Sequence, residues 1–175
     1  MHVEVRAVGF AALQSSRAGA SSVKLEGGAE MAERVAGIVR AGIPVIGHLG
    51  LTPQSVSALG GFKLQGKSAA QARKIVDDAQ ALQDAGAFCI LLELVPDRVC
   101  RLITERARDC IIMSLGSGPD AHGQLLIYHD AFALYPKFTP RMAKVFADAG
   151  AVFALDDAWS LLAQAPRPRR ARVLE

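Results

Sequence analysis

The sequence predicts an α/β fold in which about five parallel strands are covered by helices. Short, nearly continuous apolar runs alternate with amphipathic helical patterns along most of the 175 residues, and such runs are typical of strands buried on both faces. Three of the predicted strands carry a polar residue near their carboxyl end: Glu26, His48 and Glu93. Parallel α/β folds place their chemistry at these ends, so the three residues are candidates for a functional site.

Glycine and proline mark the first two strand–helix units. "SVKLE" predicts a strand, and after Gly27-Gly28 a helix is predicted over residues 30–40, where apolar residues recur at helical spacing. "IPVIGHLG" is the second predicted strand. "LTPQSVSALGG" predicts a short helix with Thr52 as N-cap and Pro53 at its first position.

A longer helix is predicted from Ser68, which forms a capping box with Gln71. Its apolar stripe consists of Ala72, Ile75, Val76, Ala79 and Leu82. "AGAFCILLELVP" predicts the third strand, apolar on both faces apart from Glu93. Pro96 then opens a helix that extends to about residue 108.

The last elements are two strands and two helices. "CIIMSLGSG" predicts a strand that enters a glycine loop, and "GQLLIYHD" predicts the fifth strand, ending at His129-Asp130. Residues 140–163 predict two helices around "AGAVF". A complete eight-stranded (β/α) barrel typically needs about 250 residues, so five strands predict only part of one.

Composition and charge favour an ordinary globular domain. The chain is 51% hydrophobic and 21% charged, with a net charge of +3. Its basic tail, residues 166–175, carries four arginines and predicts a solvated, disordered terminus. No aromatic residues interleave those arginines, which disfavours nucleic-acid binding. The longest apolar run, "FCILL", is too short to span a membrane.

The three cysteines, Cys89, Cys100 and Cys110, show no C-x-x-C spacing. Cys89 lies in an apolar run and Cys100 in a helical one. We interpret both as reduced core residues, as expected of a cytoplasmic protein.

Glu93 is the most informative single residue, because a carboxylate is unusual between two leucines and "LVP". A carboxylate in apolar surroundings suits a general base that takes a proton from carbon. The alternative is a strand-end glutamate that caps the next helix or pairs with an arginine such as Arg98.

Lys24 and Glu26 are two residues apart in a predicted strand, so their side chains point to the same side. They could form a structural ion pair, or Glu26 could bind Mg²⁺ while Lys24 holds an anionic substrate. His48 lies between glycines and is a candidate pocket residue, with a structural role as the alternative. "SLGSG" has the composition of an anion-binding glycine loop but matches no nucleotide fingerprint.

These segments resemble the ketopantoate hydroxymethyltransferase family. The resemblance rests on "VKLEGG", "GIPVIGHLGLTPQSV", "LGGFKLQGK", "DAQALQDAGAFCILLELVP", "IT", "GQLLIYHD" and "PKF", in family order over residues 18–138. It implies a (β/α)8 TIM barrel that transfers a hydroxymethyl group from 5,10-methylenetetrahydrofolate to 3-methyl-2-oxobutanoate. It further implies that Glu26 belongs to the Mg²⁺ site, that Lys24 contacts the 2-oxo acid, and that Glu93 is the general base.

The chain also departs from the family pattern. The resemblance implies that the chain corresponds to family strands 4 to 8, a single incomplete barrel domain over residues 1–165, and that two further acidic metal ligands belong to earlier strands. Residues 1–10 resemble none of those strands. The family's "G-I-G-A-G" is "MSLGSG" here, and the aspartate usual before "GQ" is replaced near His122-Gly123. We therefore expect weak or no activity from the isolated chain.

The sequence allows two alternative hypotheses about the function of the chain. The chain could be an inactive or assembly-dependent part of such an enzyme, which would associate through exposed sheet edges; family members also form homo-oligomers. It could instead be a related Mg²⁺-dependent 2-oxo-acid enzyme of the phosphoenolpyruvate mutase and isocitrate lyase type. "VKLEGG" and "LELVP" favour the first family.

Overall fold

A five-stranded, all-parallel sheet in the order β1-β2-β3-β4-β5 forms the centre of the computed structural model. The structure describes residues 2–135 and 137–149, with side chains from residue 8 onward. The strands are β1 (Val23–Glu26), β2 (Val45–Gly50), β3 (Cys89–Glu93), β4 (Ile111–Leu115) and β5 (Gly123–Gln124). The helices are α1 (His2–Arg17), α2 (Ala32–Arg40), α3 (Ala69–Asp84), α4 (Asp97–Arg106) and α5 (Tyr128–Ala131).

The predicted α/β class and parallel sheet are confirmed. Each of the first three strands pairs in parallel with the next strand along the chain, with a helix in each connection, whereas β4 pairs with β5 across residues 116–122, in which no helix forms. This is the arrangement of part of a (β/α) barrel. The chain divides into two compact units, Met1–Leu125, which contains the sheet, and Leu126–Glu175.

The hydrophobic core lies on one face of the sheet, beneath the helices. Alternate residues of the strands point into it, and helices α2, α3 and α4 cover them with their apolar stripes. The buried strand residues are Val45, Leu49, Ile90, Leu92 and Ile112, and the helical ones are Val35, Ile38, Ile75, Ala79, Leu82, Cys100 and Ile103. The opposite face of the sheet is the one that carries the polar residues.

The long helix α3 begins as predicted. The Ser68 hydroxyl accepts a hydrogen bond from the Gln71 N–H, and the Gln71 side chain accepts one from the Ser68 N–H, both at 3.3 Å. The two bonds satisfy backbone donors that the first turn leaves without partners.

The predicted helix after Thr52 is reduced to a 3₁₀ turn, Pro53–Ser55, and the Thr52 side chain makes no capping hydrogen bond. His48 does not end its strand, since β2 continues to Gly50. Residues 2–17, for which the sequence predicted no element, form helix α1.

The fifth predicted strand is wrong beyond Gln124. β5 pairs with β4 only at Gly123 and Gln124, and Tyr128–Ala131 is a short helix. β4 ends at Leu115 and the chain turns at Gly116, which has a φ of +65°. A longer β5 would therefore have no partner strand on this side.

The prediction of two carboxyl-terminal helices is also wrong in its described part. No helix forms over residues 140–148, which the structure describes; instead, the N–H groups of Phe146 and Ala149 donate to the carbonyls of Ala131 and Phe132. The second predicted helix and the basic tail lie outside the described residues. Over the part of the chain that is described, no helix combines the length and apolar character needed to cross a membrane.

Candidate active site

The register of the sheet brings the polar residues of three strands together. Glu26 pairs with His48 across β1 and β2, and Gly50 pairs with Glu93 across β2 and β3. Paired residues share a face of the sheet, as do residues two apart in one strand. The side chains of all four predicted site residues therefore lie on the face opposite the hydrophobic core, near the carboxyl ends of the strands. They are Lys24, Glu26, His48 and Glu93.

His48 is the centre of this group. Its side chain is 1% exposed, and its two ring nitrogens face different partners. Nδ1 lies 3.3 Å from Lys24 Nζ and 3.6 Å from Glu26 Oε1, whereas Nε2 lies 3.1 Å from Glu93 Oε2. The imidazole thus lies between the metal-ligand candidate and the general-base candidate.

The contact with Lys24 indicates the tautomer of His48. A lysine ammonium only donates hydrogen bonds, so Nδ1 must accept and Nε2 carries the proton of a neutral ring. That Nε2–H lies 3.1 Å from Glu93 Oε2 without the alignment of a hydrogen bond, and among the described residues the buried Nε2 has no hydrogen-bond partner.

The Glu26 carboxylate has a partner for each oxygen. Oε1 lies 3.6 Å from Lys24 Nζ, and Oε2 accepts a hydrogen bond from the Gln54 N–H at 3.1 Å. The Glu26 side chain is 11% exposed and that of Lys24 is 46% exposed. The ion pair considered in the sequence is therefore present, and its lysine remains accessible to an anionic ligand.

The donor chemistry fits Mg²⁺ through one carboxylate. Mg²⁺ prefers oxygen ligands and is commonly held by one or two carboxylates, with water or substrate completing the octahedron. The Glu26 carboxylate is the predicted ligand of this type. Within the described part of the chain, no three histidine, cysteine, aspartate or glutamate side chains are grouped to hold a metal. The described residues thus fit a hydrated, substrate-assisted ion rather than a closed protein site.

Glu93 is held by the backbone around it. Its carbonyl accepts the Leu51 N–H at 2.8 Å, and the following residue, Leu94, has a φ of +48°. This left-handed conformation is uncommon for a leucine and must be maintained by the surrounding structure. The Leu94 N–H donates to the Leu115 carbonyl at 2.9 Å. Within the described residues, the ion-pair partner of Glu93 is His48 and not Arg98.

Ser117 bridges the two sides of this strained peptide. Its hydroxyl donates to the Leu92 carbonyl at 2.8 Å and accepts the Val95 N–H at 3.0 Å. Its own N–H donates to the Ser114 hydroxyl at 3.1 Å. The polar groups of "SLGSG" therefore bind the end of β3, which accounts for a loop that the sequence suggested as an anion site.

Sequence reasoning missed two residues that support the site, Asp78 and Ser117. Asp78 carried a signal: it lies in the apolar stripe of α3, three residues after Ile75 and four before Leu82, yet it is charged and buried. A buried carboxylate requires specific partners. Ser117 carried no comparable signal, because serine is common in glycine loops.

Glu26 and His48 also line a cavity of about 470 Å³, together with polar side chains of α3 and of the segment after β2. A larger cavity of about 650 Å³ lies between α3 and α4 and contains none of the four predicted residues. We place the site at the strand ends, since the buried histidine and both carboxylates meet there.

Cys89 and Cys100 are buried and free, as predicted, and Cys110, for which the sequence predicted no role, is buried and free as well. Burial raises the pKa of the Cys89 and Cys100 thiols, and burial, with a smaller effect of Cys89, raises the pKa of Cys110 to about 12. A thiol with a raised pKa is a poor nucleophile at neutral pH, because the thiolate is the reactive form.

Comparison with known proteins identifies the family of the chain. A family model described as ketopantoate hydroxymethyltransferase matches residues 2–159. The 3-methyl-2-oxobutanoate hydroxymethyltransferase of Carboxydothermus hydrogenoformans is 55% identical over 130 residues, which cover 74% of this chain and 47% of that protein. The protein of the same name from Thermus thermophilus is 47% identical over 149 residues, covering 85% and 56%.

A third relative with this name, from Pyrobaculum islandicum, is 52% identical over 135 residues, covering 77% of this chain and 51% of the relative. The chain spans about half the length of the curated relatives it matches. The family match also extends on both sides of residues 18–138, on which the sequence resemblance rested.

Proposed function

The chain belongs to the ketopantoate hydroxymethyltransferase family, and on that premise we propose that it binds 3-methyl-2-oxobutanoate and that Glu93 removes a proton from C3. The observation that carries the proposal is the buried His48, whose two nitrogens face Glu26 and Glu93 on neighbouring strands. A family of hydroxymethyltransferases implies a one-carbon donor, and we propose 5,10-methylenetetrahydrofolate for that role.

Each residue has one task in this proposal. The Lys24 ammonium binds the carboxylate of the 2-oxo acid, for which its exposure and charge are suited. Glu26 is the protein ligand of Mg²⁺, which when bound would draw electrons from the 2-oxo group and acidify the C3 hydrogen. Glu93 takes that proton, and C3 forms a bond to the one-carbon unit as the two C–N bonds of that carbon to the folate break. Water supplies the hydroxyl oxygen, protons return to the folate nitrogens, and tetrahydrofolate leaves.

His48 keeps the base in position. Its Nδ1 accepts from Lys24 and its Nε2–H faces Glu93, so a neutral imidazole can donate to the Glu93 carboxylate without competing for the C3 proton. Because His48 is fully buried between β1 and β3, it also links the position of Lys24 to that of Glu93.

We further propose that the isolated chain turns over slowly, since the described residues contain no group of three histidine, cysteine, aspartate or glutamate side chains that could hold a metal. Self-association is supported by the position of β1 and β5 at the edges of the sheet. A cytoplasmic location is supported by three free, buried cysteines.

The test is proton-to-deuterium exchange at C3 of 3-methyl-2-oxobutanoate, followed by NMR in heavy water with and without Mg²⁺. The assay needs no folate. We expect Mg²⁺-dependent exchange that falls at least 100-fold in Glu93→Gln, because a positioned base contributes about 10²–10⁴-fold. Glu105→Gln, an exposed position on α4, is the control and should exchange at the parent rate.

A folded chain that promotes no exchange would refute the proposed activity for this chain. Exchange that persists in Glu93→Gln would refute the role of Glu93 alone.

A further inference from the structure

We infer that Asp78, on helix α3, is a positioning residue that fixes the turn after β1 and thereby the direction of the Glu26 carboxylate. The inference rests on the proposed role of Glu26. It concerns a residue on α3 that has no direct contact with Glu26 and no part in the proposed chemistry, although it lines the same cavity as Glu26 and His48.

Asp78 is a charged side chain in the apolar stripe of a buried helix face. It is 7% exposed, and both of its carboxylate oxygens have partners. Oδ1 accepts the Ala29 N–H at 3.1 Å, and Oδ2 lies 2.6 Å from Lys74 Nζ, one helical turn earlier. Burying a carboxylate costs free energy unless the carboxylate is paired. The two partners of Asp78 therefore explain how a charged side chain is tolerated at this buried position.

Asp78 binds the turn at residues 27–31, which begins directly after Glu26. Three consecutive N–H groups of this turn have different acceptors. Gly27 donates to the His48 carbonyl at 3.2 Å, Gly28 to Glu30 Oε1 at 2.8 Å, and Ala29 to Asp78. The bond to Asp78 connects the turn to α3, whereas the other two stay within the strand ends and the turn itself.

Gly28 makes this approach sterically possible. A Cβ atom at Gly28 would lie 2.5 and 2.6 Å from the two carboxylate oxygens of Asp78, far closer than van der Waals contact. The carboxylate therefore lies flat against the backbone of the turn. The hydrogen bond from the Ala29 N–H to this ionised carboxylate is charge-assisted, and such bonds are stronger than neutral ones.

Lys74 completes the group. Its hydrogen bond with Asp78, helped by the charges of Asp78 and Glu30, raises the pKa of its ammonium against the opposing effect of burial. One lysine thus offsets two carboxylates that face the turn. The Lys74 side chain is mostly exposed, so the counter-charge of the buried Asp78 carboxylate lies at the outer edge of the group.

The first measurement is amide hydrogen exchange by NMR, without metal or substrate, on the parent, Asp78→Ala, Asp78→Asn and the control Asp77→Asn. Asp77 is the exposed neighbour on the same helix. We expect exchange at Gly28 and Ala29 to rise at least tenfold in Asp78→Ala, with the amides of β2 and β3 unchanged. The control should match the parent.

Asp78→Asn separates the charge from the hydrogen bond. Its amide oxygen can still accept the Ala29 N–H, so exchange should rise at least threefold but stay below that of the alanine variant. If Asp78→Ala fails to fold, Asp78→Asn decides the question. Exchange in Asp78→Asn equal to that in Asp77→Asn would overturn the inference.

The second measurement is a Mg²⁺ titration in the presence of 3-methyl-2-oxobutanoate, followed by the Gly27 amide signal. We expect the half-saturating Mg²⁺ concentration to rise about tenfold in Asp78→Ala and less in Asp78→Asn, with the signal reaching the parent value at saturation. An unchanged midpoint in a variant whose turn has loosened would overturn the link to Glu26.

The two measurements separate failure of the inference from failure of the proposed function. If the Gly27 amide signal of the parent protein does not change on addition of Mg²⁺, the metal role of Glu26 is refuted. The proposed effect of Asp78 on Mg²⁺ binding through Glu26 would then be refuted as well. The exchange rates at Gly28 and Ala29 would still decide whether Asp78 fixes the turn.

Discussion

The ends of β1 and β3 present the two carboxylates of the site, but they are held in place by different forces. The turn after Glu26 is held by charged side chains, Glu30 and Asp78, that accept its N–H groups. The backbone after Glu93 is held by carbonyls and by the neutral, fully buried hydroxyl of Ser117.

This difference suits the different roles proposed for the two carboxylates, Glu26 as a metal ligand and Glu93 as a general base. A metal ligand can tolerate adjustment, because water and substrate complete the ion's coordination. A general base must be placed within a few tenths of an ångström of the proton it takes. The strand end with the base candidate is accordingly the one with a strained peptide and a buried network, whereas the other end depends on charges that pH and salt can modulate.

Two glycine substitutions test the rigidity of the carboxyl ends of β1 and β3. They have the largest expected effect on the free energy of unfolding. A Cβ at Gly50 would collide with the Glu93 carbonyl oxygen and approach Val95 Cγ2 to 2.5 Å, at a φ of +90°. We expect Gly50→Ala to lower the free energy of unfolding by roughly 3 kcal/mol or more, from strain and overpacking together. Gly28→Ala meets a side chain that can rotate, so its cost should be about 1–2 kcal/mol.

Urea unfolding of both variants beside the parent checks this order. Equal costs for the two substitutions would show that Asp78 is as immobile as the backbone at Glu93, and the contrast between the strand ends would be lost.

The next effect concerns the hydroxyl bridge of Ser117. In Ser117→Ala, the Val95 N–H and the Leu92 carbonyl lose their partner in a fully buried position. Leaving buried polar groups unsatisfied costs about 1–3 kcal/mol, so we expect a loss of about 2 kcal/mol in urea unfolding. Ser57→Ala, an exposed position after β2, should stay within about 0.5 kcal/mol of the parent. A Ser117→Ala variant as stable as this control would mean that the bridge contributes nothing.

The smallest expected effect is the loss of stability of the turn at residues 27–31 in acid. Burial raises the pKa of Glu30, but the Gly28 N–H hydrogen bond, the Glu30 backbone and the charges of Lys74 and Arg34 outweigh it, so the pKa lies below its ordinary value of 4.5. A carboxyl with a lowered folded-state pKa contributes stability above pH 4.5, and that contribution is lost as the pH falls through the folded value. The turn should therefore loosen in acid.

We expect the stability difference between the parent and Glu30→Gln, measured by urea unfolding, to shrink between pH 6 and pH 3. Glu33→Gln, exposed on α2, is the matched control. A difference that stays constant over this range would show that the charge of Glu30 contributes nothing to the turn.

Much of the fold could be predicted because it follows from local patterns. The apolar runs of β1 to β4 and the capping box at Ser68 each specify their element within a few residues. The predictions failed where an element depends on distant partners. β4 ends at Leu115, one residue beyond the last pair with β5, and within residues 140–148 the Phe146 N–H donates to Ala131 of α5 while no helix forms.

The sequence by itself determined the parallel α/β class, the family, and the identity of Lys24, Glu26, His48 and Glu93 as candidates, since residue type and spacing along a strand are local properties. Only the tertiary structure decided that His48 lies between Glu26 and Glu93, that Asp78 reaches the turn after β1, and that Ser117 bridges the end of β3. Strand register and helix packing place these groups within hydrogen-bonding distance, and both depend on residues far apart in the chain.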